Sequence, residues 1–451
     1  MKSLAAFDQQ HIWHPFTQHR DWLALEPLVI ERGEGFELID VEGRRYLDGV
    51  SSLWCNVHGH SHPRLLAALH EQVDRLCHST LLGLTHQPII EATRRLLQTV
   101  PGGLTRVFYS DSGSAAVEAA IRIALEWWQK EPRAVGRARR KLLSLANGYH
   151  GDTLGAVGLG YLEVFHRDLS ENVIPSLKVP PPHLFRFYEG DDPDEAEARA
   201  LAVAREVIET QADTIAALVV EPMVQGAAGI WPHSARYLQQ LVQLCREHGI
   251  LVVADEVATG FGKTGRMFAC ELAGIEPDVL VVGKSLTAGY LALSAVLTTE
   301  PIFEGFLGEP GELKTFFYGQ TYCGNPLAAR VTSENLALFA EEQVIESLPA
   351  TFRQYHALLT EHIEPLPQVA EVRRVGVMTG IELTSEPGRC VPFESNQRVG
   401  LRVVAEARAR GVIIRPLGNV IVLMPAIRMS TAELERLVRV TAEAITAAGP
   451  L

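Results

Sequence analysis

The sequence predicts an α/β fold: a mostly parallel central sheet flanked by helices, with a smaller α+β domain drawn from the chain ends. Two observations carry this. Short β-branched runs alternate with long amphipathic stretches through the middle of the 451 residues, the pattern of strand and crossover helix. Beyond about residue 340 the pattern changes to mixed short strands and helices.

Taken in order, residues 28–32 and 36–40 read as short strands around the turn-like Gly33-Glu34-Gly35. RVFYS (106–110) is the first clear core strand. A helix follows over 114–129, where Ala116, Ala120, Ile123 and Trp127 recur at helical spacing behind a Ser/Gly start signal. KLLSLA (141–146), IAALVVE (215–221), ILVVAD (250–255), VLVVG (279–283) and SAVLTT (294–299) complete the core strands, and their unbroken apolar character predicts burial on both faces. The Pro/Glu/Asp-rich stretch 180–197 reads as a surface connection. VAEVRRVG, MTGIEL, a helix near 396–410, VIIRP, VIVLMP and a last helix from Ser430 follow. The division expected is 1–60 as an N-terminal segment joining the small domain, 61–335 as the large domain and 336–451 as the C-terminal small domain.

Hydrophobic content of 47% with 21% charged residues is the balance of a soluble globular protein. A net charge of -13 without any Lys/Arg block argues against nucleic acid and anionic membrane as partners. The six cysteines are scattered with no CxxC pair, so they read as reduced thiols rather than metal ligands, and no metal is expected. No apolar stretch reaches bilayer length and the N-terminus lacks a signal pattern, which predicts a cytoplasmic protein.

Chemistry enters with Ser110-Asp111-Ser112-Gly113-Ser114, between a strand and a helix. Small residues let backbone close around a phosphate, the helix start attracts the anion, and Ser112 and Ser114 add hydroxyls. The plainer reading is an N-cap in a tight turn. A second signal pairs Asp255, ending one strand, with Lys284, just after another, both at strand ends where open α/β sheets place their crevice. A carboxylate against a pyridine nitrogen keeps that ring protonated and electron-withdrawing, and a lysine of lowered pKa forms an imine and shuttles protons. Taken singly, an Asp there is more often a cap and a Lys there more often solvated. Tyr149, in Asn147-Gly148-Tyr149-His150-Gly151, offers a ring to stack on a flat heterocycle, or else fills a core edge. Gln225 offers a donor to a phenolic oxygen, and Gly319-Gln320-Thr321 offers an amide and hydroxyl pair for a phosphate.

Two patterns are decoys. Gly260-Phe261-Gly262-Lys263-Thr264-Gly265 has dinucleotide spacing but lies five residues past its strand, with no acidic residue at the expected distance. It would serve only a nucleotide-binding protein without enzymatic activity. His58, His60 and His62 alternate like ligands, but Pro63 follows and loop histidines are the better reading.

The segments SDSGSAAVEAAIRIA, NGYHGDTLGA, ADEVATGFGKTG and VGKSLTAGYLALSA, in this order, resemble the class III aminotransferases of pyridoxal-phosphate fold type I. HIWHPFTQ, DGVSSLWCNVHGH, LLGLTH, YGQTYCGNPLA and IIRPLGNVIVLMP are similar to the branch that aminates 8-amino-7-oxononanoate in biotin synthesis, so the likeness covers nearly the whole chain. It implies that Lys284 carries pyridoxal 5'-phosphate as a Schiff base, that Asp255 holds the ring nitrogen, and that Val257 and Tyr149 face the ring from opposite sides. It further implies that Ser112, Gly113 and Ser114 bind the phosphate with Gln320 and Thr321 from a second subunit, making a homodimer with shared sites. Arg415 would pair with the keto acid's carboxylate, and Phe16, Leu53, Trp54 and Gly319 would line the substrate pocket. Relatives that use S-adenosylmethionine as donor typically carry Tyr, a Trp pair and Tyr where this chain has Phe16, Leu53-Trp54 and Val422, whereas some lysine-using relatives carry Phe and a single Trp. Both donors stay open, as does another family member acting on ornithine, 4-aminobutyrate or an ω-amino acid.

Overall fold

The computed structural model describes residues 3–130, 139–190 and 192–449. The strands β1 (Ile30–Glu34), β2 (Glu37–Asp40) and β3 (Arg45–Asp48) form an antiparallel meander at the N-terminal end. The core strands are β4 (Leu104–Ser110), β5 (Lys141–Leu145), β6 (Leu177–Val179) and β7 (Ile215–Val220). After a short ribbon of β8 (Val224–Gln225) and β9 (Trp231–Pro232) come β10 (Leu251–Asp255), β11 (Val279–Val282) and β12 (Ser294–Thr299).

The core strands make one seven-stranded sheet in the order β4-β12-β11-β10-β7-β5-β6. Only β12 runs against its neighbours, β11 and β4, so the sheet is mostly parallel as the alternation predicts. Its two faces feed different cores: Leu218, Val220, Val252, Ala254 and Leu280 pack on one side, Ala217, Val219, Val253, Val279 and Val281 on the other. That two-sided burial is why these runs contain no polar alternation.

The helix Gly113–Lys130 lies on the second face through Ala116, Val117, Ala120 and Ala124, small residues that let it approach the strands closely. Stretch 180–197 is not a plain connection, because the helices Leu184–Phe187 and Pro193–Gln211 start within it. Asp192 accepts from the Glu195 amide at 2.9 Å, Pro193 opens the helix, and Asp194 and Glu195 fill its positive first turn. The acidic, proline-bearing composition is thus a capping signal.

The C-terminal layer contains β13 (Val369–Val375), β14 (Met378–Leu383), β15 (Val412–Ile413), β16 (Arg415–Leu417) and β17 (Val420–Leu423). Four of these form an antiparallel sheet in the order β13-β14-β17-β16, while β15 pairs in parallel with β3, setting Val412 beside Leu47. Leu47 is accordingly buried in the core of the C-terminal layer. The helix Pro326–Glu341 continues unbroken through residue 335, and we take its end as the proposed domain boundary.

Between β3 and the next helix the chain makes a left-handed turn: φ is 50° at Ser51, 47° at Ser52, 74° at Leu53 and 69° at Trp54. Such backbone costs about 1–2 kcal/mol per residue for L-amino acids, so surrounding contacts must hold it. The Ser51 hydroxyl donates to the Met424 carbonyl at 2.5 Å and the Ser52 hydroxyl to Asp48 Oδ2 at 2.7 Å.

Candidate active site

Loops leaving the C-terminal ends of β4, β5, β7, β10 and β11 converge on one crevice. Its inner part is a cavity of about 150 Å³. Gly113 and Ser114 reach it from the helix start, Tyr149 and His150 from the loop after β5, Glu221 from the end of β7, Asp255 and Val257 from β10, and Lys284 from β11. An outer cavity of about 100 Å³ shares Trp54, Tyr149 and Lys284 with it and adds Phe16, Leu53 and Arg415.

Asp255 is 4% exposed. Its Oδ2 lies 2.7 Å from His150 Nδ1, and its Oδ1 accepts from the Val257 amide at 3.1 Å, so both oxygens are oriented. Lys284 sits in a short turn with φ of 45°, its Nζ 4.8 Å from the centre of the Trp54 ring. Burial pulls its amine below the usual lysine range, against the opposing pull of Asp255 and Glu221. Glu221 accepts from the backbone amides of Tyr149 (3.0 Å) and Gly226 (2.9 Å), and burial pushes its carboxyl up to about 7. The Tyr149 hydroxyl donates to Asp152 at 2.7 Å, and burial followed by that carboxylate pushes it above the ordinary tyrosine value.

The helix start is built for close approach. A side chain at Gly113 would meet Val257 at 2.8 Å, and one at Gly151, where φ is 120°, would meet the Ser114 hydroxyl at 2.2 Å. Ser112 accepts from the Ala115 amide at 3.3 Å and so caps the helix, lining neither cavity. Ser114 accepts from the Asp152 backbone amide at 3.2 Å and keeps its own proton for another acceptor.

Arg415 is half-buried, and burial lowers its pKa. Among the described residues no carboxylate lies within ion-pair distance of it. Its guanidinium carbon is 5.8 Å from the centre of the Phe16 ring, which also meets Phe165 edge-on at 5.4 Å.

Several expected residues lie elsewhere. Val422 faces Arg415 across the β16–β17 ladder but is fully buried and lines neither cavity, so it forms no pocket wall. Gln225 spends its amide on the Ala146 carbonyl at 2.9 Å. Gly319, Gln320 and Thr321 line neither cavity in this single chain; Gln320 is held by Cys323, whose thiol donates to it at 3.1 Å. Neither His150, Glu221 nor Phe165 was assigned a role from sequence, although His150 and Glu221 stand within the same post-strand motifs as Tyr149 and Gln225.

A family model described as Aminotransferase class-III matches residues 20–445. The chain belongs to the class III aminotransferases. This family depends on pyridoxal phosphate, which makes the chain a pyridoxal-phosphate-dependent transaminase of fold type I. Class III relatives include the adenosylmethionine-8-amino-7-oxononanoate aminotransferase of Nitratidesulfovibrio vulgaris, 47% identical over 98% of this chain and 82% of that protein. The namesake from Geobacter sulfurreducens is 43% identical over 97% and 96%. The crystal structure of the enzyme of that name from Methanocaldococcus jannaschii superposes with a TM-score of 0.92 at 38% identity, covering 98% of both chains. A class III fold is also seen in the omega transaminase from Pseudomonas jessenii in complex with PMP, with TM-score 0.93 and 30% identity over 99% of this chain and 98% of that one.

The residues present fit such a cofactor. The glycine-lined start of an 18-residue helix suits a phosphate, the buried Asp255 suits a protonated ring nitrogen, and the partly dehydrated Lys284 amine suits imine chemistry.

Proposed function

We propose that this chain transfers an amino group onto 8-amino-7-oxononanoate to give 7,8-diaminononanoate in biotin synthesis, as a cytoplasmic homodimer. The observation that carries the substrate is Arg415: a half-buried guanidinium without a carboxylate partner among the described residues, in a cavity that it shares with Lys284. Such a group is suited to the carboxylate of a keto acid. The names of the relatives at 47% and 43% identity support the same acceptor.

Bound pyridoxal phosphate supplies the electron sink that makes the carbon next to the transferred nitrogen acidic. In our reading, Lys284 Nζ removes the proton from that carbon and returns it to the acceptor, a task for which an amine held below its usual pKa is fit. Asp255, oriented by His150, holds the proton at the ring nitrogen. The Gly113 and Ser114 amides and the Ser114 hydroxyl hold the phosphate, together with Gln320 and Thr321 of a second copy. Tyr149 and Val257 confine the ring, and Phe16, Leu53, Trp54 and Gly319 shape the substrate space.

The donor we propose is S-adenosylmethionine, after the relatives' names. Lysine is the second reading, favoured by an outer cavity walled by Phe16 and Leu53 that offers a slim aliphatic chain a fit without unpaired polar groups. The experiment is a product assay: purified holoenzyme, 8-amino-7-oxononanoate and either donor, with 7,8-diaminononanoate followed by mass spectrometry. Product with neither donor, but turnover of ornithine, 4-aminobutyrate or an ω-amino acid, overturns the acceptor.

A further inference from the structure

Lys263 belongs to the glycine-rich Gly260–Gly265 segment that has dinucleotide-like spacing without the right context. It is 2% exposed, and no carboxylate among the described residues pairs with it. Its Nζ donates to the Ser285 hydroxyl, on the residue directly after Lys284. Ser285 Oγ donates in turn to the carbonyl of Cys55 at 3.1 Å, the residue directly after the left-handed turn that carries Leu53 and Trp54. The Lys263 carbonyl accepts from the Val377 amide at 2.9 Å, in the tight turn joining β13 to β14. That contact is close: a side chain at Gly376, where φ is 61°, would meet the same carbonyl at 2.0 Å.

One residue thus touches the C-terminal layer through its backbone and Ser285 through its side chain, and the Ser285 hydroxyl carries the link on to Cys55. The turn after Lys284 has a second anchor, since Asn335 Nδ2 donates to the Ser285 and Leu286 carbonyls at 2.9 and 3.0 Å. The hydroxyl of Ser285, however, is reached only from the Lys263 and Cys55 side among the described residues. A buried amine is a costly strut. Burial, with Lys284 close by, pulls the Lys263 amine down to about 7, so keeping it charged in the folded protein opposes folding.

We infer that Lys263 is a positioning residue which, through Ser285, locks the Lys284 turn to the Leu53–Trp54 turn, fixing the reacting amine against the substrate wall at a cost in stability. The inference rests on the reading of Lys284 as the cofactor lysine. A strut retained for stability would behave in the opposite way, and this separates the two roles.

The test compares holoenzymes of the parent, Lys263→Met, Ser285→Ala and the double variant. Three readouts are taken: unfolding temperature, the pH midpoint of the bound cofactor's absorbance, and kcat. Borohydride trapping on Lys284 in the parent first establishes the underlying reading, and its failure would be a failure of that reading alone. Methionine has nearly the length of lysine and needs no hydration, so Lys263→Met is expected to unfold at the parent temperature or above it. The same variant is expected to lose about tenfold in kcat and to shift the midpoint. Ser285→Ala should lower kcat similarly, and the double variant should lose no more than the worse single one, because both act through one hydrogen bond. A fall in unfolding temperature parallel to the loss of activity, an unshifted midpoint, or additive losses would each overturn the proposal.

Discussion

His150 Nδ1 lies 2.7 Å from Asp255 Oδ2, with both residues at most 4% exposed. The two come from different strand ends, β5 and β10, so the contact ties the floor of the crevice across the intervening β7. His150→Phe removes the partner of a buried carboxylate oxygen, which costs about 1–3 kcal/mol. The variant should unfold at a lower temperature and hold cofactor more weakly, as read by absorbance titration. Unchanged stability and cofactor affinity would show that Asp255 needs no such orientation.

Glu221 supplies a pH prediction. Burial raises its carboxyl from 4.5 to about 7, so the folded protein holds a proton that the unfolded chain releases earlier. The stability this contributes is present below about pH 4.5 and is lost as pH rises through about 7. Glu221→Gln should flatten that decline by on the order of 3 kcal/mol, at about 1.4 kcal/mol per unit. Urea unfolding of the cofactor-free proteins at pH 4.5 and 8 measures it, and any constant cost of the amide cancels in the comparison. Parallel profiles for parent and variant would contradict the assignment.

Arg415→Ala should raise KM for the keto acid about 10- to 100-fold, the range of a charge-assisted hydrogen bond of about 1.5–3 kcal/mol. A neutral ester of the same acceptor should be nearly blind to the change. Equal losses for acid and ester would remove the guanidinium from carboxylate recognition.

Phe16 tests the donor. Phe16→Tyr adds a hydroxyl to the outer cavity, where one hydrogen bond contributes about 1 kcal/mol. Loss of the cofactor absorbance on mixing with S-adenosylmethionine alone should become about fivefold more sensitive to low donor concentration, with lysine unaffected. Conversion of the parent by lysine and not by S-adenosylmethionine would move the donor to the second reading.

Much of this architecture was legible in the sequence, for a physical reason. Strands buried on both faces must be continuously apolar, so β5, β7, β10, β11 and β12 declare themselves within a residue or two. Of the residues that close around the crevice, Asp255 ends a core strand, and Gly113, Tyr149 and Lys284 come within four residues of the end of one. What sequence spacing does not encode is contact between distant loops. His150 and Glu221 were visible as members of their motifs, but their roles arise only when β5, β7 and β10 lie side by side. Val422 illustrates the converse: it shares a sheet face with its ladder partner Arg415, but packing in the core covers it and keeps it from lining the pocket. The helix from Pro193 was legible too, since Asp192 and Pro193 form a start signal that the acidic composition obscured.

Every step of the proposed reaction depends on Lys284 as the cofactor-bearing and proton-transferring residue. Its most direct measurement is borohydride reduction of the purified, cofactor-loaded protein, followed by proteolysis and mass spectrometry of every lysine peptide. The expected result is a pyridoxyl-phosphate mass increment on Lys284 and on no other lysine, with Lys284→Ala folded, unlabelled and inactive. Label fixed to Lys263 or any other lysine, or a Lys284→Ala variant that still turns over, would contradict it.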